Sequence, residues 1–163
     1  KGLKIRVQQS PTNVTMMSLL GGSATPMGFG EVYTALQSKV IDGAENNWPT
    51  YQSGGDYLVA PFYVLDQHTR VPEVLIASKK VLDRLDKADV AIIKQCAKET
   101  QVFEIKKWKE REFSSEQIVR ANGNTIVELS STAFAEFQTA MQPLYEKYGR
   151  QYTDIIRQIQ NTN

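Results

Sequence analysis

Leu3-Lys4-Ile5-Arg6-Val7-Gln8-Gln9-Ser10-Pro11 is the stretch that decides the fold. Leu3, Ile5 and Val7 alternate with Lys4 and Arg6, the period of a half-buried strand. A polar run ends that strand, and Pro11-Thr12-Asn13 reads as a helix start with Thr12 or Asn13 as its cap. The helix carries Val14, Met17 and Leu20 on one face and stops at Gly21-Gly22. Strand, polar turn and helix in nine residues announce a layered α/β chain.

The rest of the chain continues the alternation. Ala24 to Met27 reads as a short extended piece, and Glu31 to Lys39 as a helix burying Val32, Ala35 and Leu36. Thr50 to Tyr57 is ambiguous because Gly54-Gly55 breaks it. Phe62–Leu65 and Glu73–Ala77 read as buried strands, and Lys79 to Leu85 as a short helix. Asp89 to about Arg111 is the clearest long helix, with Ile93, Cys96, Thr100 and Phe103 on one stripe. After the Asn122-Gly123-Asn124 turn come a strand, Thr125–Leu129, and a helix capped by Ser130 or Ser131 and running to Tyr148. Gly149 ends it, and Tyr152, Ile155, Ile156 and Ile159 mark a last amphipathic piece. Alternating strands and helices of this kind imply an α/β fold with a largely parallel sheet.

Composition narrows the function. The 163 residues suffice for one ordinary domain with a real core. A net charge of +1 and the lack of a basic stripe argue against nucleic acid and acidic membranes as partners. No apolar run approaches the roughly 20 residues that span a bilayer. One cysteine, Cys96, rules out an internal disulfide. One histidine, His68, and that one cysteine exclude zinc sites of the usual kind, and no cofactor is expected. Neither a G-x-S-x-G nor a phosphate-binding glycine loop is present.

Three places remain that can carry chemistry. Arg6 stands where a strand becomes a loop. It is either a solvated surface arginine or a planar fork of donors for a carboxylate. Asp42-Gly43-Ala44-Glu45-Asn46-Asn47 is either a turn or a cluster of hydrogen-bonding side chains beside Trp48. Phe29, between Gly28 and Gly30, is either core or a platform for a ligand. Asp42, Glu45 and His68 also allow an enzyme acting on sugar acids, though no nucleophile stands beside them. A non-catalytic interaction domain, its polar cluster only a turn, is a third reading.

Three motifs, in this order and spacing, resemble the extracytoplasmic solute-binding subunit of TRAP transporters, the dicarboxylate-binding family. They are Lys4-Ile5-Arg6-Val7, Thr25-Pro26-Met27-Gly28-Phe29-Gly30-Glu31-Val32-Tyr33-Thr34-Ala35-Leu36-Gln37 and Val40-Ile41-Asp42-Gly43-Ala44-Glu45-Asn46. A looser likeness runs through Glu73–Ser78 and the C-terminal helices, so nearly the whole chain is covered. The resemblance implies a periplasmic-binding-protein-like fold, two α/β domains closing on an organic acid, a C4-dicarboxylate or a sugar acid. It also implies a periplasmic location and delivery to membrane subunits of the transporter. Arg6 falls on the family's carboxylate-binding arginine, Asn46 on its ligand-contacting asparagine and Phe29 on the aromatic residue covering the ligand. Gln9 falls on a polar contact beside the arginine, and Glu45 and His68 on a buried polar pair supporting the site.

Family members are considerably longer. By resemblance, residues 1–71 and 112–163 make most of the second domain, and residues 72–111 belong to the first, the remainder of which precedes Lys1. The strand near Glu73–Ala77 and the long helix are then expected to lack their usual cover. A homodimer is expected for this fragment, formed by exchange of the segment from about Pro72 to Arg111.

Overall fold

The computed structural model describes residues 1–162. Its central feature is a sheet of three parallel strands in the order β2-β1-β3: β1 (Lys4–Val7), β2 (Ser23–Pro26) and β3 (Gly43–Ala44). β1 is the middle strand, and Arg6 lies in register with Thr25 on one side and Ala44 on the other. Parallel neighbours need a crossover. The first is α1 (Pro11–Leu19), and the second contains a 3₁₀ turn (Phe29–Glu31) and α2 (Val32–Gln37). Just past the end of α1, Gly21 has a φ of 83° that lets the Gly22 amide reach back to the Met17 carbonyl.

The core under this sheet is small. Val32, Ala35 and Leu36 of α2 pack with Ile41, and Met27, Val59 and Ala60 close the cluster. Each large apolar side chain buried there contributes about 1.5–3 kcal/mol. Val7 of β1 and Met16 and Met17 of α1 are also buried.

A second parallel pair, β4 (Phe62–Leu65) with β5 (Thr125–Glu128), joins residues 63 positions apart in sequence. The connection contains a short α4 (Lys79–Leu82) and α5 (Lys87–Ala121), a helix of 35 residues. The last turns of α5 pack on α3 (Trp48–Ser53) and bury Ser115 and Val119. Most of α5 before Glu112 is exposed. An aromatic layer fills the space between α3 and β4: Trp48 stacks on Tyr63 at 3.9 Å, and Tyr51 lies 4.8 Å from Tyr63. Buried Asn124 ties the layer to β5. Its Nδ2 donates to the Tyr51 hydroxyl (2.9 Å) and the Tyr57 carbonyl (2.8 Å), and its Oδ1 accepts from Asn122 (2.8 Å). The chain ends in α6 (Ser131–Ala140), α7 (Gln142–Tyr148), a 3₁₀ turn (Arg150–Tyr152) and α8 (Thr153–Gln160).

Several expectations change. Glu73–Ala77 is not a strand: Val74, Leu75 and Ile76 are 72–82% exposed and pair with no strand among the described residues. An apolar run does not form a strand without a neighbour to accept its backbone groups. The α5 stripe of Ile93, Cys96, Thr100 and Phe103 faces outward, so Cys96 is exposed rather than buried. α5 also runs ten residues past Arg111. α1 starts at Pro11 with Ser10 in the cap position, so neither Thr12 nor Asn13 caps it. The helix expected from Ser131 to Tyr148 breaks at Met141, because Pro143 cannot donate to the carbonyl four residues back. Ser130 does cap α6, accepting from the Ala133 amide.

Asn124→Ala removes two donors from buried acceptors and should lower stability by about 1–3 kcal/mol. Denaturant unfolding checks this, and a change within error would mean that the network holds nothing.

Candidate functional site

In a parallel sheet the strands all end at one edge, and ligands of open α/β sheets bind there. The residues singled out in the sequence converge on that edge. Arg6 stands next to the last residue of β1, and Gln9 lies in the turn that follows. Phe29 follows β2, while Glu45 and Asn46 follow β3. His68 comes from the loop after β4 and reaches the same place, its Nε2 lying 3.6 Å from Glu45 Oε2.

Arg6 is the centre. Its side chain is 4% exposed, and its Nε donates to the Met27 carbonyl at 3.1 Å. That bond fixes the plane of the guanidinium against the loop after β2. Among the described residues no carboxylate lies within ion-pair distance of it, and neither Nη group has a hydrogen-bond partner. A buried cation with donors to spare can pair with an anion.

The surrounding groups suit a small polar ligand. Phe29 is 54% exposed despite its size. Asn46 spends its Oδ1 on the Asn47 amide (3.0 Å), which leaves its amide hydrogens donors without a partner among the described residues. Its backbone is held in turn, because the Tyr63 hydroxyl donates to the Asn46 carbonyl at 2.9 Å. Burial pushes the Tyr63 phenol well above its ordinary range, with nearby Asp66 adding to the effect, so it stays a neutral donor. Gln9 is exposed and makes no side-chain hydrogen bond among the described residues.

Glu45 and His68 form the expected pair, and Asp66 joins them. His68 Nδ1 donates to Asp66 Oδ1 at 2.7 Å, while the contact to Glu45 is an ion-pair distance rather than a hydrogen bond. Gln67, between Asp66 and His68, has a left-handed backbone (φ 48°) that folds the loop sharply there. The Asp66 carboxylate first, and Glu45 second, raise the His68 pKa from 6.5 to about 9, against the opposing effect of burial. The ring is therefore an imidazolium at neutral pH. Asp42 stands apart from this group. Its Oδ2 accepts from the Lys4 amide at 2.8 Å, at the start of β1 rather than its end. Asp42, Glu45 and His68 thus form no acid–base constellation.

Two contributors escape a reading of the sequence: Tyr63 and Asp66. Only Asp66 had a signal, a carboxylate two residues before the one histidine. Two surface concavities, one lined by Pro143, Glu146, Lys147 and Arg150 and the other by Leu19, Leu20, Glu136, Phe137 and Ala140, include none of these residues. Among the described residues no group of His, Cys, Asp and Glu is arranged to hold a metal, and no helix is long and apolar enough to cross a membrane.

Because its folded pKa is raised, His68 stabilises the chain fully below about pH 6.5 and stops doing so as pH climbs through about 9. His68→Gln should therefore cost about 2 kcal/mol more at pH 6 than at pH 9.5, after discounting for partial solvent screening. Equal losses at the two pH values, measured by urea unfolding, would contradict the ion-pair role.

Comparison with known proteins places the chain in a family. Residues 1–151 match the family model for bacterial extracellular solute-binding protein, family 7. A solute-binding protein of Chromohalobacter salexigens is 37% identical over 155 residues, which are 95% of this chain and 46% of that protein. A TRAP periplasmic solute-binding protein of Bradyrhizobium sp., solved with α/β-D-galacturonate, superposes with a TM-score of 0.90 at 44% identity, covering 99% of this chain and 54% of that one. Its counterpart from Pseudomonas putida F1, solved with D-glucuronate, gives a TM-score of 0.91 at 35% identity, covering 100% of this chain and 52% of that one. The chain spans about half the length of these relatives. Each of these relatives is described as a solute-binding protein, not as an enzyme acting on sugar acids. The chain belongs to the bacterial extracellular solute-binding protein family 7, the family of TRAP solute-binding proteins.

Proposed function

We propose that the chain supplies the carboxylate-binding lobe of a TRAP-type solute-binding protein. Such a protein captures a hexuronate in the periplasm and delivers it to the transporter's membrane subunits. The observation that carries this is Arg6: buried, oriented by the Met27 carbonyl, and without an ion-pair partner among the described residues, at the C-terminal edge of a parallel sheet. Its two Nη groups match the two oxygens of a carboxylate. Phe29 would cover an apolar sugar face, and Asn46 and Gln9 would serve hydroxyl or carboxylate oxygens. Glu45 and His68 would hold the loop that carries Asn46. A hexuronate is preferred over a C4-dicarboxylate because the Bradyrhizobium and P. putida relatives hold galacturonate and glucuronate.

In this reading residues 1–71 and 112–163 make most of one lobe, and residues 72–111 belong to the other, which closes over the ligand. The burial of α5 supports the division, since the helix is exposed up to Arg111 and buried against α3 at Ser115 and Val119. Closure would then desolvate the carboxylate pair and strengthen it.

In a full-length protein carrying this chain, Arg6→Ala should weaken D-galacturonate or D-glucuronate binding about 100-fold or more by isothermal titration calorimetry. Unchanged affinity refutes the clamp. For the 163-residue chain by itself, we propose that the apolar faces of Val74–Ile76 and of α5, with Ile92, Val102 and Phe103 exposed, pair with a second copy by exchange of residues 72–111. Light scattering should give a dimer at tens of micromolar, whereas a well-folded monomer across a concentration series would sink this.

A further inference from the structure

Asn46 stands at a join in the chain. β3 before it is only two residues long, and its ladder with β1 ends at Ala44 opposite Arg6. One further bond, from the Glu45 amide to the Arg6 carbonyl, is long at 3.4 Å. Beyond Asn46 the chain already belongs to α3. The Asn47 side chain accepts from the Thr50 amide at 2.9 Å, and its carbonyl from the Tyr51 amide at 3.0 Å. The Asn46 carbonyl is therefore part of neither sheet nor helix. Its one hydrogen-bond partner among the described residues is the Tyr63 hydroxyl, at 2.9 Å. Tyr63 comes from inside β4, where it lies in register with Ile126 of β5. Its ring stacks on Trp48 at 3.9 Å, the two planes 20° apart. One side chain thus holds the join at both ends, the Asn46 carbonyl by its hydroxyl and the Trp48 indole by its ring.

We propose that Tyr63 is a positioning residue for ligand binding and acts through Asn46. The inference deepens the proposed function and rests on its reading of Asn46 as a ligand contact. Two bonds meet on the single peptide unit between Asn46 and Asn47. Its carbonyl accepts from Tyr63, and its N–H donates to the Asn46 Oδ1 at 3.0 Å. A peptide unit is planar, so fixing the carbonyl also fixes the direction of the N–H. The Asn46 side chain is anchored to that N–H, and Tyr63 thereby sets where its amide nitrogen stands. Because Oδ1 is committed, the amide nitrogen is the group a ligand would meet. It is a donor, as the Arg6 Nη groups are, so both offer hydrogens to the oxygens of an acid. Without the Tyr63 hydroxyl the peptide unit is free to turn toward water, and binding has to restore the lost order.

The test is a double-mutant cycle of Tyr63→Phe and Asn46→Ala in a full-length protein carrying this chain, read by calorimetric titration with D-galacturonate. Tyr63→Phe keeps the stacked ring and removes only the hydroxyl. It should weaken binding about fivefold, the worth of one hydrogen bond. In the Asn46→Ala background the same change should cost no further affinity, because the side chain that Tyr63 positions is gone. A purely structural role would instead lower stability in urea in both backgrounds and leave the two affinity losses additive. Additive losses overturn the proposal, as does unchanged affinity in Tyr63→Phe when Asn46→Ala binds weakly; in both cases Asn46 keeps its place as a contact. If Asn46→Ala binds as wild type does, that contact fails and the proposal falls with it. A second measurement needs no ligand. Amide exchange by NMR on the 163-residue chain should show the Asn47 N–H exchanging several-fold faster in Tyr63→Phe, and an unchanged rate also overturns the proposal.

Discussion

The guanidinium of Arg6 is the constraint around which this structure is arranged. A cation taken out of water costs several kcal/mol unless its surroundings repay it. Here the repayment is partial by design. The central strand holds the backbone between two neighbours, and the Met27 carbonyl takes Nε. What is left over, two Nη groups with no partner among the described residues, is on the reading we propose the binding capacity of the site. Had a surface carboxylate closed on Arg6, the same residues would make a salt bridge and nothing more.

The remaining site groups depend on packing that lies behind them. Asn46 is presented by a loop whose carbonyl is gripped by Tyr63, Tyr63 is sandwiched with Trp48 and Tyr51, and Tyr51 is bound to Asn124 at the head of β5. A chain of contacts thus runs from the second parallel pair to the ligand edge of the first sheet. On the other side of Asn46, the Asp66–His68–Glu45 cluster ties the loop after β4 to the loop after β3. Preorganised donors of this kind lose little freedom when a ligand arrives.

Much of this was legible in the residues themselves. The alternation of Leu3, Ile5 and Val7 beside a polar run announced β1 and its turn, and Phe62–Leu65 was placed to the residue. Arg6, Phe29 and Asn46 emerge at one edge because a parallel sheet ends all its strands together, a consequence of topology that the motif order already implies. Glu73–Ala77 misleads because its Val-Leu-Ile run has strand chemistry, while strand formation also requires a neighbour. Cys96 misleads in the same way, since periodicity identifies a stripe but not what covers it. Tyr63 was invisible for a different reason: its role comes from a contact across the fold, the phenol to the Asn46 carbonyl. No local pattern of residues encodes such contacts.

The central claim is that Arg6 receives the carboxylate of a sugar acid. A crystal structure of a full-length protein carrying this chain, grown with D-galacturonate, tests it most directly. The predicted result is a ligand carboxylate with both oxygens on the Arg6 Nη groups, the sugar ring against Phe29, and the Met27 bond to Nε retained. A uronate bound with its carboxylate on another cation, and Arg6 left without it, would contradict the claim.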